Sequence, residues 1–351
     1  MTIIFIMKFS KVLVVGGAGF VGSNLCKKLI DISNEIWIVD NLLSAEASNI
    51  PISNNITFIN GSISNDNILY KLPKDFVYIF HLATFHGNQS SMADPIADHE
   101  NNTLTTLKIC EYFKHSSTLK KLVYSSAGCV VAAKTYDAPQ ATDEEKGVSL
   151  YLDSPYQMSK IFGEFYGNYY LKQYNLPFVK ARFQNVYGPG EILGAGQWRG
   201  TNHTIWRNVT PTFIWKALND IPLTLDNAGE TTRDFIYVED IADGLIACAE
   251  NGKAGGVYNL ASGKETKIRE LAEKIIELTG SKSELKLLPK RDWDNSGRRY
   301  GNPEKSEKEI GFKSKINFEE GIKRTVEWTI KNKDMISTCI NRHSYYSFNN
   351  S

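Results

Sequence analysis

Residues 11–22 read KVLVVGGAGFVG, and this stretch restricts the fold more tightly than any other in the 351-residue chain. A short apolar, β-branched run ends in glycine, as a buried parallel strand does. The residues that follow place Val21, Leu25 and Leu29 at helical spacing, and Gly16, Gly19 and Gly22 fall between strand and helix. The first glycine permits a tight turn, the second lets backbone approach a pyrophosphate, and the third lets the helix pack close to the sheet. The helix N-terminus then offers N–H groups and the positive end of its dipole to phosphates. A second apolar run, EIWIVD, ends at Asp40. A carboxylate there accepts hydrogen bonds from an adenosine ribose and repels a 2′-phosphate, which favours NAD over NADP.

Further apolar runs (ITFING, DFVYIFHLA, LKKLVYSS, PFVKARFQNVYG) alternate with helical stretches such as NNTLTTLKICEYFKHS. That alternation predicts an α/β fold, a Rossmann-type doubly wound parallel sheet with helices on both faces. A long helix is predicted from Pro155, with proline at a favoured first-turn position. Past residue 185 the strands are shorter and the helices amphipathic, as in KIRELAEKIIELTG with its terminal glycine. Residues 8–185 are therefore read as mainly the dinucleotide-binding domain. Residues 186–335 are read as mainly a smaller C-terminal α/β substrate domain, with some exchange of chain between the two. Residues 336–351 form a tail, weakly ordered or held by its aromatics. Pro189 to Asn208 has no periodicity, and a loop that long is usually functional or mobile.

Lys and Arg total 40 against 39 Asp and Glu, so nothing in the charge calls for nucleic acid or an anionic membrane as partner. Cys26, Cys110, Cys129, Cys248 and Cys339 are scattered, with no metal-ligand spacing and no disulfide framework. A reducing cytoplasm fits best. The opening MTIIFIM is too short for a signal sequence and reads as a ragged extension or an added edge to the first strand.

PYQMSK places Tyr156 and Lys160 at i and i+4 on one helix face. An ammonium beside a phenol favours phenolate and lowers its pKa toward working pH. Such a tyrosine exchanges a proton with a hydroxyl while hydride moves to nicotinamide.

With these residues in view, the chain resembles the extended short-chain dehydrogenases/reductases, the NAD-dependent nucleotide-sugar epimerases and dehydratases. GGAGFVGSNL, VDNL, HLAT, YSSAGC, SPYQMSK, RFQNVYGPG, RDFIYVEDIADG and YNLASG carry the likeness in family order. The resemblance implies a nucleotide-diphosphate sugar as substrate, NAD held through the cycle, and commonly a homodimer through a helical bundle. By position, Gly16, Gly19, Phe20, Val21 and Gly22 would hold the pyrophosphate of NAD, and Asp40 and Asn41 its ribose. Ser62 and Ile63 would flank the adenine, with Ser62 where the family usually has aspartate. Leu82 and Ala83 would line the cofactor, and Lys160 would also reach the nicotinamide ribose. Asn185, Asn208 and Val209 would meet the nucleotide sugar, and Arg233 and Arg291 would neutralise its diphosphate, a role that suits the guanidinium fork.

The strand end YSSAGCVV departs from the family. The hydroxyl that orients the reacting sugar is replaced by Ala127, with Ser126 one residue earlier as its nearest substitute. Cys129 stands where 4,6-dehydratases have glutamate and where GDP-mannose 3,5-epimerases have cysteine. Arg199, in GQWRG, stands for the lysine of the latter and reads as a phosphate anchor or a polariser of a hydroxyl. Two reactions follow. In C4 epimerisation Tyr156 takes the C4 hydroxyl proton and hydride returns to the other face of a transient 4-keto sugar. Alternatively, Cys129 moves a proton at C3 or C5 of that ketone, giving epimerisation there or loss of water. C4 epimerisation is favoured. A dinucleotide-binding sensor would lack the Tyr156–Lys160 pair, so an enzyme is expected.

Overall fold

The computed structural model describes residues 8–131, 135, 137–148, 150–292 and 297–348, so the reading of residues 1–7 as an added strand edge lies outside it. The first half alternates as expected: β1 (Phe9–Val15), α1 (Phe20–Leu29), β2 (Ser33–Asp40), β3 (Ile56–Asn60), α2 (Asp66–Leu69) and β4 (Tyr78–His81). Then come α3 (Asn88–Ala93), α4 (Pro95–Asp98), α5 (Leu104–Phe113), β5 (Lys121–Ala127), α6 (Pro155–Tyr174) and β6 (Phe178–Phe183). These strands, with β11 (Val257–Leu260), build a seven-stranded parallel sheet in the order β11-β6-β5-β4-β1-β2-β3. The order reverses between β1 and β4, and in such sheets ligands bind beyond the strand C-termini at that reversal.

The sheet is buried on both faces, which is why its strands read as unbroken apolar runs. One face packs Val12, Val14, Ile36, Ile38 and Phe80 against α1 and α8 (Val238–Asn251). The other packs Leu13, Ile79, Leu122 and Tyr124 against residues of α2, α5 and α6. Helix α6 lies close to the sheet because it carries glycine at two contact points. A Cβ on Gly163 would fall 2.2 Å from the Tyr124 hydroxyl, and one on Gly167 2.2 Å from the Phe178 ring.

PFVKARFQNVYG does not run as one strand. It breaks at Gln184, where the chain leaves the large sheet and continues as β7 (Asn185–Tyr187). Strand β7 pairs in parallel with β10 (Phe235–Tyr237) in a second layer. That layer holds α7 (Val209–Ala217), β8 (Leu223–Leu225), β9 (Thr232–Arg233), β12 (Thr266–Lys267), α9 (Ile268–Thr279), β13 (Leu285–Leu287) and α11 (Phe318–Lys331), whereas α10 (Glu304–Ile310) returns to pack on α8 and β11 of the large sheet. Its own core gathers Phe213, Ile214, Leu223, Phe235, Leu271 and Ile322. The tail forms α12 (Lys333–Asn341) and α13 (Ser344–Phe348). It is held by aromatic contact, since Tyr346 stacks on Trp198 with ring centroids 5.1 Å apart.

His81, at the end of β4, is fully buried; its Nε2 lies 3.0 Å from Thr106 Oγ1. Burial, helped by Lys160, holds its pKa down at about 3. The unfolded chain therefore takes up this proton first as pH falls from 6.5, so stability present above 6.5 is lost progressively toward pH 3. At ~1.4 kcal/mol per pH unit the loss is roughly 2 kcal/mol by pH 5. Urea melts at pH 7 and pH 5 check this. A His81→Asn variant is expected to show a smaller difference between the two than the parent chain.

Candidate active site

Apart from Arg199, the residues assigned above to catalysis, cofactor or substrate line one cleft of about 450 Å³ between the large sheet and the second layer. At one end is the β1–α1 turn. Gly16 takes φ +87°, and a Cβ there would lie 2.5 Å from Ala83 N at the end of β4. A Cβ on Gly22 would lie 2.1 Å from Gly16 O. The glycines thus leave a backbone cradle that no other residue fits. Helix α1 starts at Gly19 with no side-chain cap and no acidic residue in its first turn, leaving its N–H groups to an anion. The Asp40 carboxylate accepts from Ala18 N at 3.0 Å and Leu42 N at 2.9 Å, which fixes the turn. Each oxygen keeps a second lone pair for a ribose hydroxyl. This cradle and donor set fit a dinucleotide. Gly22→Ala is expected to cost about 1–3 kcal/mol by overpacking and to strip the purified protein of cofactor. Thermal melting and the absorbance of released nucleotide check both.

Helix α6 presents the reacting groups. Ser154 caps it, accepting from Gln157 N, and Pro155 opens its first turn. Tyr156, Lys160 and Glu164 then recur every four residues on one face. Lys160 is buried. Its Nζ donates to Ser125 O at 2.8 Å and lies 5.7 Å from the Tyr156 ring centroid. Burial lowers the Lys160 pKa to about 8, against the opposing charges of Asp98 and Cys129. Tyr156 departs from expectation, since burial, then Cys129 and Asp98, push its pKa up from the ordinary phenol value. In the cleft alone, desolvation outweighs the ammonium and keeps the phenol protonated.

The strand end resolves into distinct roles. The Ser126 hydroxyl donates to Glu164 Oε1 at 2.6 Å. Arg182 closes on the same carboxylate with Nε and Nη2, each at 2.8 Å. Ser126 thus anchors a buried ion pair: its proton is committed to Glu164, while its oxygen still lines the cleft with lone pairs to accept from a sugar hydroxyl. Cys129 is half-buried in the cleft wall. Burial raises its thiol pKa, opposed by the charges of Arg299, Arg233 and Lys160. Gly128 gives room to the Gln184 amide, which would lie 2.2 Å from a Cβ there.

Arg199 does not line the cleft and anchors no phosphate there. It is buried behind it, with its guanidinium 5.3 Å from the Phe85 ring centroid and donating to the carbonyls of His86 and His203. On the substrate side, Arg233 Nη1 donates to Thr232 O and Gly297 O, Arg291 pairs with Asp226, and Asn208 bonds Glu191. Cleft residues left without a role by the sequence reading include Gln184, Arg207 and Arg299, while His86 stands out in the sequence only as an unusual residue bearing on the choice of substrate. The His86 ring stands edge-on to Tyr156, with centroids 5.6 Å apart. Burial and the neighbouring cations hold its pKa down at about 3, so it is neutral at working pH. Arg207 donates to the carbonyls of Ser44, Ile192 and Ala195, tying the loop after Pro189 to the connection that follows β2.

A Rossmann sheet, a dinucleotide cradle at its switch point and a helix-borne Tyr–Lys pair define a dinucleotide-dependent enzyme of the short-chain dehydrogenase/reductase type. The chain belongs to the NAD-dependent epimerase/dehydratase family, which it matches over residues 12–261. It is 31% identical over 322 residues to a putative UDP-glucose 4-epimerase of Methanocaldococcus jannaschii, covering 92% of this chain and 99% of that one. The Bordetella bronchiseptica enzyme WbmF, solved with NAD+, is 55% identical, with TM-score 0.88 and coverage of 98% and 99%. A UDP-N-acetylglucosamine 4-epimerase from Methanobrevibacter ruminantium, solved with UDP-N-acetylmuramic acid, is 32% identical, with TM-score 0.81 and coverage of 93% and 100%.

Proposed function

We propose that the protein is an NAD-dependent epimerase of a uridine-diphosphate sugar, acting at C4 through a transient 4-keto sugar. The observation that carries this reading is the single cleft in which the Gly16–Gly22 cradle, the Tyr156–Lys160 pair and the Arg233 and Arg291 side chains meet. The cradle, with Asp40 and Asn41, holds NAD, and Ser62, Ile63, Leu82 and Ala83 line its length. Asn185, Asn208 and Val209 hold the nucleotide sugar while Arg233 and Arg291 neutralise its diphosphate. When bound, the cofactor supplies a hydride acceptor that then serves as donor. Tyr156 takes the proton of the reacting hydroxyl and gives it back, and Lys160 favours the phenolate while the proton is away. Uridine is supported by WbmF, which was also solved with NAD+ and UDP, and by the names of the relatives above.

Cys129 supports a second reading, because its thiol faces the same cleft as Tyr156 and Lys160. A C4 ketone acidifies C3 and C5, and Cys129 could then move a proton at either carbon. Turnover of a panel of UDP-sugars in heavy water separates the two. A C4 epimer with no carbon-bound deuterium is the expected product. Deuterium at C3 or C5 that disappears in Cys129→Ser would favour the second reading, and inertness toward the whole panel would contradict both.

The same proposal includes a homodimer through α6. Met158, Phe162, Phe165 and Tyr169 form one exposed stripe along that helix, each 44–52% accessible. The chain is expected to sediment as a dimer, and the double variant Phe162→Glu, Phe165→Glu as a monomer.

A further inference from the structure

Arg299 stands apart from the other charged groups of the cleft. Among the described residues, the other cations lining it are engaged: Lys160 with Ser125 O, Arg207 with three carbonyls, Arg233 with two, and Arg291 with Asp226. The Arg299 guanidinium has no hydrogen-bond or ion-pair partner among them.

Its backbone is nonetheless firmly placed. Arg299 N donates to Thr232 Oγ1 at 3.1 Å. Its neighbour Arg298 forms a two-pronged pair with Glu265 at 2.8 and 3.0 Å. Gly301 N donates to Asp234 Oδ2, and Asn302 N to Thr142 O. The segment presents one free guanidinium from a fixed frame, and such preorganisation strengthens binding by cutting the ordering cost.

The frame sets Arg299 between Thr232, the neighbour of Arg233, and the β5 end of the cleft. Gly301 packs directly on Gln184, since a Cβ there would lie 2.7 Å from its amide. Gln184 packs in turn on Gly128, the residue before Cys129. Arg299 thus belongs to the wall shared with the β5 end, where Tyr156 and Cys129 react. Among the described residues, the carboxylates lining the cleft are Asp40 and Glu191. Asp40 is tied to the cofactor turn and Glu191 to Asn208, so neither neutralises Arg299. A guanidinium left open at the sugar end matches a planar anion on the sugar better than it matches a hydroxyl.

We infer that Arg299 binds a carboxylate carried by the sugar ring, so that the substrate is a nucleotide-diphosphate hexuronate rather than a neutral hexose. This rests on the nucleotide-sugar reading of the site. Cys129 shares the wall with Arg299, so the guanidinium sets the face of the sugar presented to Tyr156 and Cys129.

The test is calorimetric titration of the NAD-loaded protein with UDP, UDP-glucose and UDP-glucuronate, and with the matching galactose and galacturonate pair. In each pair the uronate is expected to bind on the order of 10- to 100-fold more tightly than the hexose, the worth of a charge-assisted hydrogen-bonded pair. Arg299→Leu is expected to erase that preference, leave UDP affinity unchanged and keep cofactor content unchanged. Arg299→Lys is expected to restore part of the preference. Equal affinity for hexose and uronate in the parent protein would overturn the inference while leaving the nucleotide-sugar reading intact. A parallel loss of UDP affinity in Arg299→Leu would also overturn it, assigning Arg299 to the diphosphate. Failure of UDP and all four sugars to bind would overturn the parent reading itself.

Discussion

Tyr156→Phe is expected to lower turnover by roughly 10²- to 10⁴-fold, the usual worth of a positioned proton-transfer group. The substitution removes one oxygen and little else. The phenylalanine ring keeps its edge-on contact with His86 and its place beside Lys160, so fold and cofactor content are expected to persist. Lys160, its pKa lowered to about 8 by burial, is the nearest alternative proton carrier, but its ammonium is committed to Ser125 O. His86 is held neutral far below working pH, the Ser126 proton is committed to Glu164, and burial keeps Cys129 largely as thiol. Steady-state kinetics at saturating substrate, with a melting curve and a nucleotide assay on the same preparation, give the comparison. A variant that turns over like the parent would remove Tyr156 from the chemistry.

The largest expected effect on stability falls on a pair that touches no ligand. Glu164→Ala removes the carboxylate that Arg182 and Ser126 share. Arg182 then keeps only its bond to Glu144 O, at 4% exposure. Breaking one partner of a buried pair costs about 3–5 kcal/mol, because the remaining charge is left unpaired in low dielectric. Replacing both partners by apolar residues of similar volume removes that stranded charge, and Glu164→Leu with Arg182→Leu is expected to recover most of the loss. Denaturant melts of the two variants decide it. A single variant as stable as the parent would mean that water reaches Arg182. Because the pair braces α6 against β5 and β6 one turn beyond Lys160, the single variant is also expected to lose cofactor on dilution.

What could be read from the sequence follows the range of the interactions. The glycine turn, the ending of β2 at Asp40 and the Tyr156–Lys160 spacing are local, and each lies where short-range geometry put it. The order of the large sheet follows from alternation and handedness. The break of the sixth run at Gln184 was not visible, because β-propensity continues through the residues that cross from one sheet to the next. The tie of Ser126 to a buried ion pair is hidden for a similar reason. Its partners Glu164 and Arg182 lie 38 and 56 positions along the chain, and nothing local announces them. His86, Arg207 and Arg299 reach the cleft through loops whose course is set by distant hydrogen bonds. Arg199 carried a motif-like setting, GQWRG, and lies behind the wall it was expected to line. The tail carried a legible hint, since its tyrosines are those that stack on and around Trp198.

The central claim is that the sugar is oxidised at C4 and reduced again without its hydrogen leaving the protein. It is tested most directly with the UDP-sugar that turns over fastest, carrying deuterium at C4. The account predicts an epimerised product that retains the deuterium at C4 and acquires none elsewhere, with turnover slowed by the label. A product whose C4 deuterium has exchanged for solvent hydrogen would contradict it.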